Sequence, residues 1–279
     1  MRRPAHREEG AEGRPAVVPK KRFGQNFLTD PRAARLIAEA ATTPEGGTVL
    51  EIGPGTGALT TPLAERAARV IAIERDPDLL PVLREKLAGP IERGTLTLVE
   101  GDATALDWPR LLADGPRPHA VAGNVPYLIT GRLIEMATDA ADHLDVAVFM
   151  VQKEVADRLI ARPGSKEYGA LTVFTAAAFD VQRVLVVRAG SFFPRPEVDS
   201  AVVKLVPVRP RRAPETEAFR AAVKAAFGMR RKTLRNAWRD LCGWSAEEIA
   251  ARAAAAGISL DARGETLSVE QFREMVADR

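Results

Sequence analysis

Short runs rich in Val, Ile and Leu alternate with amphipathic stretches along most of this chain, and few folds accept that pattern. The apolar runs lie near 48–53, 70–74, 95–99, 119–123, 144–151, 181–188 and 200–206 and read as strands. Helical stretches are expected at 31–41, 58–68, 77–88, 131–141, 152–161 and 169–178. Asp30 is placed to cap the first of these, and Pro31 occupies the first helical position, where a missing N–H costs nothing. Strands joined through helices pair in parallel and form a sheet covered on both faces. Between the last two runs only the proline-rich loop from Phe192 to Pro196 intervenes. No crossover helix fits there, so these two strands are expected to be antiparallel neighbours. The predicted fold is α/β, Rossmann-like, with a seven-stranded, mostly parallel sheet.

The pattern changes after residue 207. Pro207, Pro210 and Pro214, interleaved with Arg209, Arg211 and Arg212, mark a linker. Beyond it the periodicity is purely helical, at about 215–227, 230–241, 245–256 and 268–277, with capping boxes at Ser245/Glu248 and Ser268/Gln271. An α/β domain over 20–207 and a small all-α domain over 208–279 are therefore expected. Residues 1–19 carry Arg, Glu, Gly and Pro but little apolar surface, the composition of a disordered basic tail. A chain of 279 residues with 46% hydrophobic content suits one full core and a smaller second one.

Other classes are disfavoured by composition. A single cysteine, Cys242, rules out an internal disulfide framework and fits a reducing, cytoplasmic setting. Lacking any catalytic partner nearby in sequence, it is expected to be a small buried residue. No apolar run has membrane-spanning length. His6, His119 and His143 are scattered, so no metal site is expected. The net charge of +3 leaves nucleic acid open as a partner without requiring it.

Two motifs carry chemistry. The first is Glu51-Ile52-Gly53-Pro54-Gly55-Thr56-Gly57, a glycine-rich strand-to-helix turn suited to a nucleoside-type cofactor. Its spacing also fits a dinucleotide fingerprint, so its neighbours must separate the options. Glu51, two positions before the first glycine, is expected to face the cofactor; it would repel a pyrophosphate but suit the ammonium and sulfonium of S-adenosylmethionine. Glu74 ends the second strand, where an acid grips ribose hydroxyls. Gly101-Asp102-Ala103 follows the third strand, and Asp102 is placed to accept from the amino group of a cofactor adenine.

The second motif is Gly123-Asn124-Val125-Pro126-Tyr127 at the end of the fourth strand. An adenine N6 lone pair is delocalised into the ring and must be drawn out before it can attack. The Asn124 side-chain oxygen and the Val125 carbonyl can accept its two N–H bonds, Pro126 holds Val125 extended, and Tyr127 offers a stacking face. These four residues point to methyl transfer onto a base.

With these residues in view, the chain resembles the KsgA-type small-subunit ribosomal RNA adenine N6,N6-dimethyltransferases, from about Lys20 to Asn236. The resemblance runs through Lys21-Arg22-Phe23-Gly24-Gln25-Asn26-Phe27-Leu28, the Asn-x-Pro-Tyr box, Phe192-Phe193-Pro194-Arg195-Pro196-Glu197-Val198-Asp199-Ser200, and Arg230-Arg231-Lys232-Thr233-Leu234-Arg235-Asn236. It implies a class I S-adenosylmethionine-dependent methyltransferase with a small C-terminal all-α domain. Asn26 and Leu28, with Gln25 nearby, would touch the cofactor, as would Gly53, Gly55, Glu74, Asp102, Ala103 and Asn124. Phe192 would close the base pocket opposite Tyr127. The implied substrate is a pair of adjacent adenosines in a hairpin near the 3′ end of 16S rRNA, on an immature small subunit, with the enzyme acting as a monomer. Val125 stands where the family usually has Leu; the backbone carbonyl does the work, so the activity is expected to survive.

Two basic clusters suit phosphate contacts: Lys20, Lys21 and Arg22, and Arg230, Arg231, Lys232, Arg235 and Arg239. Trp238 and Trp244 are expected to be core. Three other readings compete: an erythromycin-resistance-type methylase of large-subunit rRNA, a non-catalytic assembly factor, and a nicotinamide dehydrogenase. The last leaves Glu51 against a pyrophosphate and lacks a hydride-transfer partner.

Overall fold

Each apolar run becomes a strand in the computed structural model, which describes residues 18–229 and 231–277. The expectations for residues 1–17 and Arg230, and for the side chain of Lys21, lie outside what is described. The strands are β1 (Phe27–Leu28), β2 (Thr48–Ile52), β3 (Arg69–Glu74), β4 (Leu96–Glu100), β5 (His119–Asn124), β6 (Val146–Gln152), β7 (Phe179–Val187), β8 (Phe192–Phe193) and β9 (Ser200–Pro207). Seven form one sheet in the order β4-β3-β2-β5-β6-β9-β7. β4 to β6 pair in parallel, whereas β9 runs antiparallel to both β6 and β7, as the missing crossover helix requires. Successive strands step outward from β2 to β4 and then return to β5 beside β2. Crossovers on either side of this switch point diverge and leave a crevice at the strand carboxyl ends.

Helices α1 (Pro31–Ala41), α2 (Thr60–Arg66), α3 (Leu79–Lys86), α4 (Ala88–Glu92), α5 (Trp108–Ala113), α6 (Thr130–Asp139), α7 (Lys153–Leu159) and α8 (Ala170–Ala178) cover the sheet. Strand alternation divides the core: Leu50, Ile52, Val121 and Phe149 pack on one face, with Val49, Val70, Ala72 and Ile37 on the other. The helix expected at 77–88 extends further and breaks into α3 and α4, because Pro90 lacks the N–H that would continue the ladder. Helix α5 was not expected. Its six residues are too few for periodicity to register, but Asp107 caps it by accepting from the Arg110 N–H at 3.1 Å. The two-residue pairing of β1 with β8 was also invisible in the sequence; it lays the N-terminal motif against the proline-rich loop.

After Pro207 come α9 (Glu217–Gly228), α10 (Leu234–Ala237), α11 (Ala246–Ala255) and α12 (Val269–Val276). Phe219, Trp238 and Phe272 centre their core, which draws in Tyr168, Val173 and Ala177 from around α8. The Trp238 indole donates to the Ala222 carbonyl at 2.9 Å and meets the Phe272 ring nearly edge-on, so it is core as expected. Trp244 is partly buried beneath the Arg252 guanidinium, 4.0 Å from its ring. Two expectations fail here. The helix at 230–241 shrinks to α10, since the Leu234 and Arg235 N–H groups donate to the Ala262 and Leu260 carbonyls. Cys242 is exposed, not buried: it sits at φ +54° with Gly243 at +73°, a left-handed reversal that turns the side chain outward. Among the described residues no helix is long and apolar enough to cross a membrane, and no cluster of three metal-ligating side chains occurs.

Candidate cofactor and base-binding cleft

A cleft of about 1090 Å³, open solvent at its mouth included, occupies the switch-point crevice. The ends of β2, β3 and β5 line it, together with residues 22–28 and 101–103. The glycine turn shapes its floor. Gly53 and Gly55 hold φ of +67° and +59°, which favours glycine. A Cβ on Gly55 would also stand 3.1 Å from the Phe27 ring, whereas one on Gly53 would meet nothing within 4 Å and project into space a ligand can fill.

Acidic groups face this floor. Glu74 is buried, and its carboxylate accepts from the backbone N–H of Gly55 at 3.0 Å and of Asp76 at 2.8 Å. Burial pushes its pKa up from the ordinary carboxylate value. Asp102 accepts from the Thr104 hydroxyl at 2.7 Å and N–H at 2.9 Å, and pairs with Arg75 at 3.3 Å. Those Thr104 bonds lower its pKa. Two carboxylates over a glycine turn that leaves open space fit a nucleoside cofactor whose ribose and amino groups are donors and whose charge is positive.

Glu51 does not line the cleft. On β2 it shares a face with Val49, so it points into the layer behind the turn. It is fully buried against the Thr60 side chain. Burial pushes its pKa up to about 8. A pyrophosphate would therefore be repelled by Glu74 and Asp102, not by Glu51.

Residues 20–28 form a strap along the cleft. The Lys20 ammonium donates to Asp76 and Asp78, each at 2.5 Å, and the two carboxylates hold its pKa above the usual lysine range. Gln25 donates to Asp76 at 2.9 Å and accepts from the Lys20 N–H at 2.7 Å. Lys20 was expected to meet phosphate, but its charge is spent on the clasp. Arg22 is exposed, with its guanidinium 4.8 Å from the Phe23 ring; Arg75 approaches the same ring at 5.6 Å.

The strap also fixes the box. Asn124 Nδ2 donates to the Asn26 carbonyl at 2.8 Å. A carbonyl can only accept, so the amide orientation follows, and Asn124 Oδ1 is left as the acceptor. Val125 is buried and its N–H donates to the Met150 carbonyl at 3.3 Å. Pro126 accepts from the Ile129 N–H at 3.1 Å, closing the turn that follows. The Tyr127 hydroxyl lies 2.9 Å from Ser200 Oγ, and burial raises its pKa.

Of the residues singled out from sequence, Gln25, Asn26, Leu28, Gly53, Gly55, Glu74, Asp102, Ala103, Asn124, Val125, Pro126 and Tyr127 all border this cleft. Phe192 does not. At 5% exposed it packs into the core with Phe27 and Val202, while its neighbour Phe193 is 37% exposed. The loop motif reaches the box through Ser200 instead. Ser200, Phe23, Arg75 and Leu128 were missed; only an exposed apolar residue straight after the box could have pointed to Leu128. Arg231 and Lys232 are exposed, and Arg235 pairs with Asp261 at 3.1 Å on the surface.

This fold and cleft define a class I S-adenosylmethionine-dependent methyltransferase. The ribosomal RNA adenine dimethylase family model matches residues 18–277, and the chain belongs to that family. It is 44% identical over 257 residues to ribosomal RNA small subunit methyltransferase A of Geobacter metallireducens, covering 91% of this chain and 92% of that one. The Moorella thermoacetica protein of the same name is 45% identical over 265 residues, covering 92% and 91%. Among solved structures, a dimethyladenosine transferase from Plasmodium falciparum superposes with a TM-score of 0.74 at 25% identity, covering 90% and 96% of the two chains. The 23S rRNA methyltransferase ErmE gives 0.68 at 30%, covering 90% and 98%.

Proposed function

We propose that this enzyme transfers methyl groups from S-adenosylmethionine to N6 of two adjacent adenosines in a hairpin near the 3′ end of 16S rRNA, twice each, during maturation of the small ribosomal subunit. It acts in the cytoplasm as a monomer and without a metal. Residues 20–207 carry the chemistry, and 208–279 grip RNA through Arg230, Arg231, Lys232 and Arg235, with Lys21 and Arg22 adding a second basic contact. The observation that carries this reading is the Asn124 Nδ2 to Asn26 carbonyl bond, which leaves Oδ1 as an acceptor beside the cofactor floor.

Bound S-adenosylmethionine supplies an electrophilic methyl on a sulfonium sulfur. Glu74 would accept from the ribose hydroxyls and Asp102 from the cofactor's adenine amino group, with Asn26 and Leu28 beside the ligand. Asn124 Oδ1 and the Val125 carbonyl accept the two N–H bonds of the target amine, which pulls its lone pair out of the ring and into line for attack. Stacking on Tyr127 contributes about 1–3 kcal/mol. The same two acceptors favour the positive charge that builds on nitrogen as the methyl arrives. The charged amine then sheds a proton to water, so no strong base is needed.

Small-subunit specificity is favoured over large because the relatives at 44–45% identity carry the small-subunit name, whereas ErmE stands at 30%. The test is product mapping. The purified enzyme should convert two adjacent adenosines of under-methylated small subunits to N6,N6-dimethyladenosine and leave protein-free 23S rRNA unmodified. Modification of 23S rRNA alone would reverse the choice, and no incorporation into either would leave only an assembly factor.

A further inference from the structure

Eight large apolar side chains are exposed among the described residues, and just one of them borders the cleft. Leu128 is also the most exposed of the eight, at 84%. Scattered exposed apolar residues are ordinary, but this one is presented by a fixed frame. Tyr127 on one side is tied to Ser200 at 2.9 Å, and Ile129 on the other packs against the core. The turn beneath is closed by the Ile129 N–H and the Thr130 hydroxyl, which both reach the Pro126 carbonyl. Within a turn of three residues, one side chain is tied to Ser200, one packs on the core and one stands exposed at the rim of the cleft.

A base that reaches Asn124 has left its stack, and the gap it leaves must be filled or collapse. Apolar side chains of this size are used as wedges between nucleic-acid bases elsewhere. We propose that Leu128 is the wedge for this enzyme: as the target adenosine swings onto Tyr127, Leu128 enters the vacated position in the RNA hairpin and holds the base out. The proposal rests on the methyl-transfer reading above. It makes Leu128 an RNA-contacting positioning residue that takes no part in the methyl transfer itself.

The test uses the full-length enzyme and a hairpin RNA that carries 2-aminopurine beside the target adenosine, whose fluorescence rises when its neighbour unstacks. Wild type should raise the signal on binding and methylate under-methylated small subunits. Leu128→Ala should lose most of the fluorescence rise and slow methylation about 10–100-fold, with S-adenosylmethionine affinity unchanged; Leu128→Met, which keeps the apolar bulk, should restore both. Equal fluorescence and equal rates in wild type and Leu128→Ala would overturn the wedge while leaving the methyltransferase intact. A wild-type enzyme that binds the hairpin but never methylates would instead overturn the parent reading, and the wedge with it.

Discussion

At the cofactor end of the cleft, groups are held by near neighbours: Asp102 by Thr104 two residues on, and Glu74 by Gly55 across 19. The base end is assembled from afar. Asn124 is fixed by Asn26 across 98 residues, Tyr127 by Ser200 across 73, and the strap itself by Lys20 on Asp76 across 56. The first end folds with its own motif, whereas the second exists only once strap, box and loop have met. Substitutions should therefore separate cofactor binding from methyl transfer according to which end they touch.

The largest effect is expected at Asn124. Asn124→Ala removes the one oriented side-chain acceptor and should slow methylation by about 10²–10³-fold. Calorimetric S-adenosylmethionine affinity should change by less than about three-fold; a collapse of cofactor binding would mean that the two ends are not separable. Glu51→Gln probes the layer behind the floor. Unfolded Glu51 ionises from 4.5 and folded Glu51 only at about 8. Between those values the folded state binds more protons, so stability falls as pH rises and then levels off. Denaturant unfolding at pH 5 and pH 8 should show wild type losing about 3–4 kcal/mol more than the Gln variant; equal losses would mean that Glu51 is ionised when folded.

A smaller loss, about ten-fold in rate, is expected for Ser200→Ala, which frees the Tyr127 hydroxyl. Tyr127→Phe should match it, and the double variant should be no worse than either, since both break one interaction. Additive losses would unlink the pair. The smallest effect is expected at Lys20. Lys20→Met should slow methylation about five-fold by loosening the strap that holds Asn124, with cofactor affinity little changed. The salt dependence of RNA binding should not change, whereas loss of a phosphate contact would lower that slope by about one.

How much of this was readable follows the same divide. The seven strands and the antiparallel return of β9 follow from apolar runs and the missing crossover, and the glycine turn with Glu74 and Asp102 follows from position at strand ends. Glu51 was misjudged because nearness to the turn in sequence says nothing about which face of β2 a side chain takes. Phe192 and Phe193 pose the same problem in a two-residue strand, too short for its alternation to be read. Lys20 looked like one more surface cation because its partners, Asp76 and Asp78, lie in another loop. Each of these depends on contacts between distant segments, which no local pattern encodes.

A crystal of the full chain with S-adenosylhomocysteine and adenosine would test the base end directly. The adenine amino nitrogen is expected within hydrogen-bond distance, about 2.7–3.2 Å, of both Asn124 Oδ1 and the Val125 carbonyl, with Asn124 Nδ2 still on the Asn26 carbonyl. An amide rotated to present Nδ2 to the adenine, or an adenine bound away from Tyr127, would contradict the proposed chemistry.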